Sequence, residues 1–335
     1  MTQEPPNLRS SFDIVPEINL EPLLAGTVKG MEQVAAQISQ AYTTVGFAYI
    51  TNHQIPQILI DSIFAASANF HALPREEKLS IEVNTYHRGF IPINTSTART
   101  SSIAKATKPN QSESFMMMHE LPEDDPDIAA KAPLAGPNQW PRSLPEFRPV
   151  VRAYNEALVG LSRKLLTCVC ASLGAAPNAL DEHFRRPTTF LRLLYYPSQP
   201  PQGPSDLFGS APHTDYGFIT ILLQDNVGGL QVQNILGDWI DAPFRPGAFV
   251  MNVGDILHRW SNGLFISTPH RVINESGRAR FSNPFFFDPD MHAEISPLPS
   301  CVSAENPLRY EPLIYGNYLM GQLAQNHDQH EKSKN

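Results

Sequence analysis

The chain has 335 residues, a formal net charge of −8, 41% apolar residues and 31 prolines. That length suits one large hydrophobic core with additions, and the acidic balance excludes the basic footprint expected of a nucleic-acid binder. No apolar run approaches the roughly 18 residues of a membrane span, and the opening MTQEPPNLRSSF has neither a basic start nor an apolar stretch, so a cytoplasmic setting and a small-molecule partner are expected rather than a membrane.

Residues 26–45 place apolar side chains at helical spacing, GFAYI at 46–50 predicts a strand, and 58–73 predicts a second helix. SESFMMMHE at 112–120 predicts a strand that turns Phe115 and Met117 to one side and Met116 and Met118 to the other. Residues 119–142 are acidic, proline-rich and unpatterned, and a loop that long in a compact domain is usually functional or disordered. The longest helical pattern runs from 145 to 174 and ends at Gly174, a good C-cap. It carries Cys168 and Cys170, which with Cys301 read as small buried residues.

The texture changes near residue 188. TFLRLLYY, FITILLQ, GLQVQ, GAFVMNV and RARFSNPFFF are short, rich in β-branched and aromatic residues, and separated by Gly, Pro, Asn and Asp. Such spacing predicts a sandwich or barrel rather than βαβ units. A last helical pattern follows at 310–325. The chain therefore reads as mainly β with flanking α-helices: a mainly helical region at 1–186, a β-core at 187–290, and a C-terminal segment and helix at 291–335.

The chemistry concentrates at PHTDYGFITILLQD, 212–225. On a strand His213 and Asp215 point to one side, and His270 in STPHRVIN offers a third donor. Two histidines and one carboxylate form the facial triad of non-haem Fe(II) oxygenases. A lone His-x-Asp among 11 histidines says little, but a second pair, Arg280 and Ser282 in RARFSN, again shares one face. A guanidinium in a β-core needs an anion, and its fork suits a carboxylate. Tyr196 in LLYYPSQP adds a phenol. DNVGG at 225–229 lacks the ending of a phosphate loop and reads as a turn; Asn252 and Asp255 in MNVGD read as hydrogen-bonding and turn residues.

Taken in order, HTDYGFITILLQD, GLQV, WIDAP, PGAFVMNVGDIL, SNGLFISTPHRV and RFSNPFFFDPD resemble the plant-type iron- and 2-oxoglutarate-dependent dioxygenases, a family that includes isopenicillin N synthase. VPEINL, VGFAYITNHQIP, FHALPREEK and YHRGF resemble its amino-terminal segments. The resemblance implies a single catalytic domain over 1–335 with a double-stranded β-helix, or jelly-roll, core. It implies His213, Asp215 and His270 as iron ligands, and Arg280, Ser282 and Tyr196 as holders of the far carboxylate of 2-oxoglutarate. Leu194 stands where many members carry Asn. The implied reaction consumes Fe(II)-activated dioxygen and 2-oxoglutarate, with ascorbate as accessory reductant, releases succinate and carbon dioxide, and hydroxylates or otherwise oxidises a small organic substrate. Two other readings stay open here: an oxidase of the same family without 2-oxoglutarate, and a non-catalytic cupin-like metal- or ligand-binding protein. For the substrate pocket the expected lining is Phe115 and Met117 with Phe285 and Phe287, under a lid formed by 119–142.

Overall fold

The computed structural model describes residues 11–95, 108–199 and 207–326. Twelve strands build two sheets: β1 (Glu17–Asn19), β2 (Phe47–Thr51), β3 (Gly89–Ile91), β4 (Glu113–Met118), β5 (Thr188–Tyr196), β6 (Ser210–His213), β7 (Ile219–Gln224), β8 (Leu230–Gln233), β9 (Trp239–Asp241), β10 (Ala248–Val253), β11 (His270–Val272) and β12 (Arg280–Asp288). The larger sheet has the order β1-β2-β10-β7-β12-β5-β4-β3, and the smaller β6-β11-β8-β9. All pairs within them are antiparallel except β1 with β2. A third, two-stranded sheet pairs Glu294–Ile295 with Leu313–Ile314. This is the jelly-roll architecture.

Strand alternation divides the apolar residues between two cores. On β5, Leu191 and Leu193 join the core that packs under the helices, whereas Leu194 and Tyr196 join the core between the sheets. On β2, Ala48 and Ile50 take the first side and Phe47 and Tyr49 the second. The inner core closes against Leu230, Val232 and Val272 of the smaller sheet. The helices Val28–Thr44, Gln57–His71 and Phe147–Ser172 cover the outer face. Phe70 and Phe147 meet Phe115 there, at ring-centroid distances of 5.2 and 4.9 Å. Interdigitated aromatic pairs of this kind add to the area they bury.

The predicted helices stand within a few residues of their expected bounds. The long one ends at Ser172, and Gly174 follows at φ 71°, a left-handed conformation that glycine adopts without a Cβ penalty. The last helix begins at Tyr315 rather than 310, because Leu313–Ile314, just after Pro312, are drawn into a strand pair with Glu294–Ile295. Residues 119–142 hold a one-turn helix, Pro126–Ala129, and are stitched to the sheet. The Met118 N–H donates to Asn138 Oδ1 at 3.0 Å, Asn138 Nδ2 donates back to the Met118 carbonyl at 2.9 Å, and Trp140 packs on Phe115.

Candidate active site

His213 ends β6 and His270 begins β11, and the ladder pairs them directly opposite each other. Asp215 follows two residues after His213. Its Oδ1 stands 3.7 Å from His213 Nε2 and 3.6 Å from His270 Nε2. The three donors lie within 4.8 Å of one another, the one such group of three among the described residues. The neighbours set their states. His213 Nδ1 and His270 Nδ1 reach the carbonyls of Ala211 and Thr268 at 2.7 and 3.2 Å. A carbonyl only accepts, so each Nδ1 carries the proton and each Nε2 lone pair faces the cluster. Burial, with the nearby His270, pushes the His213 pKa down to about 4, which keeps its ring neutral. Although burial opposes it, the two histidines and two hydrogen bonds hold the Asp215 carboxyl below its usual range. Asp215 Oδ2 accepts from Thr220 Oγ1 at 2.5 Å and Asn252 Nδ2 at 2.8 Å, leaving Oδ1 for the centre. Two neutral imidazoles and one oriented carboxylate fit a divalent cation with open positions.

Fully buried Arg280 sits deeper between the sheets, opposite Tyr196 in the β12–β5 register. Its Nε donates to the Gly228 carbonyl at 2.7 Å, Nη1 to Ser282 Oγ at 3.0 Å and Nη2 to Gln224 Oε1 at 3.3 Å. Its guanidinium lies 4.8 Å from the Tyr196 ring centroid. Every one of these partners is uncharged. A buried cation with a hydroxyl, an amide and a ring around it, but no carboxylate among the described residues, fits an incoming carboxylate. DNVGG is the turn expected of it, and its Gly228 carbonyl is what aims the guanidinium. Gln224 joins the site from the end of β7, and no local pattern in the sequence marks it.

Residues 187–289 match the model of the 2OG-Fe(II) oxygenase superfamily, and residues 15–143 match that of the non-haem dioxygenase in morphine synthesis N-terminal family. Over 95% of its length the chain is 32% identical to a 2-oxoglutarate-Fe(II) type oxidoreductase of Emericella nidulans, 92% of which is covered. This chain belongs to the 2-oxoglutarate–Fe(II) oxygenase superfamily. The oxygenase is also 31% identical to a homoarginine-6-hydroxylase of Glycine max, covering 95% of this chain and 99% of the relative. The crystal structure of a full-length Neurospora crassa protein in complex with α-KG and thymine superposes with a TM-score of 0.82 at 28% identity, covering 92% of this chain and 96% of that one. The chain is thus a dioxygenase that uses Fe(II) and 2-oxoglutarate.

A cavity of about 140 Å³ opens beside His213 and Asp215. Its walls include Met116, Phe190, Arg192 and Phe286 from the large sheet, and Leu319 and Leu323 from the C-terminal helix. This corrects the expected lining. Phe115, Met117, Phe285 and Phe287 point the other way, into the core under the helices. The alternation on β4 and β12 holds, but its phase is reversed, because both faces of these buried strands are apolar. The signal that fixes the phase lies in β5. If Tyr196 faces inward, so do Phe190 and Arg192, at steps of two. The lid expectation is corrected as well. Residues 119–142 supply none of the cavity wall among the described residues, and the C-terminal helix supplies the cover. That helix is latched by Tyr315, whose hydroxyl donates to Asp288 at 2.8 Å, and Tyr318, whose hydroxyl donates to Asp255 at 3.0 Å. Asp255 is itself tied to the site, since its N–H donates to the Asp215 carbonyl at 2.8 Å.

Proposed function

We propose that His213, Asp215 and His270 hold Fe(II), that Arg280, Ser282 and Tyr196 take the far carboxylate of 2-oxoglutarate, and that a small organic substrate is oxidised in the cavity next to them. The observation that carries this reading is the shared Asp215 oxygen facing two Nε2 lone pairs, with its other oxygen already engaged. Fe(II), 2-oxoglutarate and dioxygen supply the oxidising power, yielding succinate, carbon dioxide and a hydroxylated or otherwise oxidised substrate. The chain's own groups bind and orient. The Ala211 and Thr268 carbonyls hold the two imidazoles in one tautomer. Thr220 and Asn252 hold the carboxylate's rotation. Ser282, Gln224 and Gly228 hold the guanidinium. Phe286, Leu319 and Leu323 shield the cavity from water, which protects a reactive site from side reactions. All three cysteines are unpaired and buried, which suits a reducing, cytoplasmic setting.

Labelled 2-oxoglutarate, with Fe(II) and ascorbate and a panel of small organic substrates, tests this reading. The expected result is Fe(II)-dependent succinate and labelled carbon dioxide, with a product about 16 mass units heavier or about two lighter than the substrate, as oxygen insertion or desaturation at a cofactor-driven centre requires. Substrate oxidation that proceeds without 2-oxoglutarate would instead support the oxidase alternative. Stoichiometric metal binding with no turnover of either compound would support a binding protein.

A further inference from the structure

Arg192 is a second cation on the inner face of the same sheet, and the iron and cosubstrate sites do not employ it. Residues 190, 192, 194 and 196 of β5 share one face. Arg192 therefore lies four residues from Tyr196, about 13 Å along the strand at roughly 3.3 Å per residue. Its neighbours are Met116, opposite it on β4, and Pro284, which the β12 register puts opposite it between Ser282↔Leu194 and Phe285↔Leu191. It lines the cavity together with His213 and Asp215, whereas Arg280 does not reach that wall.

The guanidinium there is under-used. Among the described residues its one hydrogen bond is from Nη2 to Ser114 Oγ at 3.0 Å. Its Nε is buried with no partner. Other arginines of the chain show what a structural pairing looks like: Arg186 meets Asp125 and Asp127, and Arg152 meets Glu120 and Glu156. The nearest acid on the adjoining strand, Glu113, faces the opposite side and is taken by Lys78 and His71. Burial pulls the Arg192 pKa below its usual value, and no carboxylate among the described residues offsets that. A half-buried cation whose Nε is buried without a partner, on the wall of a cavity, is suited to a ligand that supplies the anion.

We infer that Arg192 recognises a carboxylate on the organic substrate, so that the oxygenase acts on a compact organic acid whose apolar body lies against Met116, Phe190, Phe286 and the C-terminal helix. This deepens the proposed function and rests on it. The cavity, at about 140 Å³, is smaller than the roughly 300–1,000 Å³ of drug-sized pockets, which selects small acids. Two carboxylates then enter by chemistry of the same kind on one sheet face: the cosubstrate's at Arg280 and the substrate's at Arg192.

The test is anaerobic calorimetry on the Fe(II)- and 2-oxoglutarate-loaded protein, titrated with phenylacetate, hexanoate and cyclohexanecarboxylate and with their primary amides. Hydrogen bonds to charged groups are worth about 1.5–3 kcal/mol, so at least one acid should bind roughly 10- to 100-fold more tightly than its amide. Arg192→Gln should bring acid and amide within about three-fold, and Arg192→Lys should retain a preference for the acid. Both variants should melt near the wild type and bind 2-oxoglutarate with unchanged affinity. Wild type that prefers no acid over its amide, or Arg192→Gln that keeps the preference, overturns the inference. Failure of the wild type to bind 2-oxoglutarate at all would count against the proposed function instead, and the acid–amide comparison made with Fe(II) alone would still decide the role of Arg192.

Discussion

Asp215 gives its two oxygens different tasks, and that division is the main energetic choice at the site. Oδ2 is engaged by Thr220 and Asn252, so rotation of the carboxylate is suppressed before any cation arrives. Loss of such an orienting partner typically weakens metal binding by roughly 10- to 100-fold. Asn252→Ala should therefore weaken Fe(II) within that range without changing the ligand set, and anaerobic Fe(II) titration checks it. Arg280 stands on neutral partners alone, so its charge is reserved for a ligand. Arg280→Gln should raise the 2-oxoglutarate KM roughly 10- to 100-fold, at about 1.4 kcal/mol per decade. Tyr196→Phe should cost less, because the ring beside the guanidinium remains. Steady-state succinate formation measures both, and an unchanged KM in Arg280→Gln would remove the cosubstrate from that site.

At the scale of elements, neighbouring residues of one strand serve different masters. Phe285 is fully buried in the core under the helices, and Phe286 faces the cavity. Phe285→Ala should destabilise the fold by about 3–5 kcal/mol, the usual cost of deleting a core phenylalanine. Phe286→Ala should cost less stability and alter substrate affinity or product distribution; urea unfolding and product analysis separate the two. The sequence pattern discloses this alternation in ESFMMM and RFSNPFFFD, yet an apolar residue at nearly every position hides which face is which. His119 carries a different burden. Its Nδ1 accepts from the Thr189 N–H at 3.3 Å, so the ring is held neutral, and burial with the Arg88 cation pushes its pKa down to about 4. The unfolded chain, with a histidine near the ordinary value of about 6.5, binds a proton between those values that the folded chain does not. Stability should thus rise with pH from about 4 to about 6.5. His119→Asn should flatten that slope by up to one proton, as denaturation at stepped pH would show; an unchanged slope would deny the neutral state.

At the scale of the molecule, the short-range pattern tells most of the architecture. HTD and RFS each place two polar groups two residues apart; Arg280 and Ser282 keep that alternation on β12 and Asp215 follows just past the end of β6, so these two pairs are legible without coordinates. What is not legible depends on long-range closure. His213 meets His270 only because β6 and β11 pair in register. The Gly228 carbonyl meets Arg280 across a separation of 52 residues. Leu319 and Leu323 reach the cavity because the Tyr315 and Tyr318 phenols fasten their helix to Asp288 and Asp255. No local pattern encodes such meetings. The proposed site rests on one cation held by one carboxylate between two imidazoles, and the most direct measurement is the Fe(II) stoichiometry of folded Asp215→Ala against the wild type by anaerobic titration. The expected result is one Fe(II) per wild-type chain and loss of stoichiometric binding in Asp215→Ala, since two neutral imidazoles alone are a poor site for this cation; one tightly bound Fe(II) per chain in Asp215→Ala, with turnover intact, would contradict it.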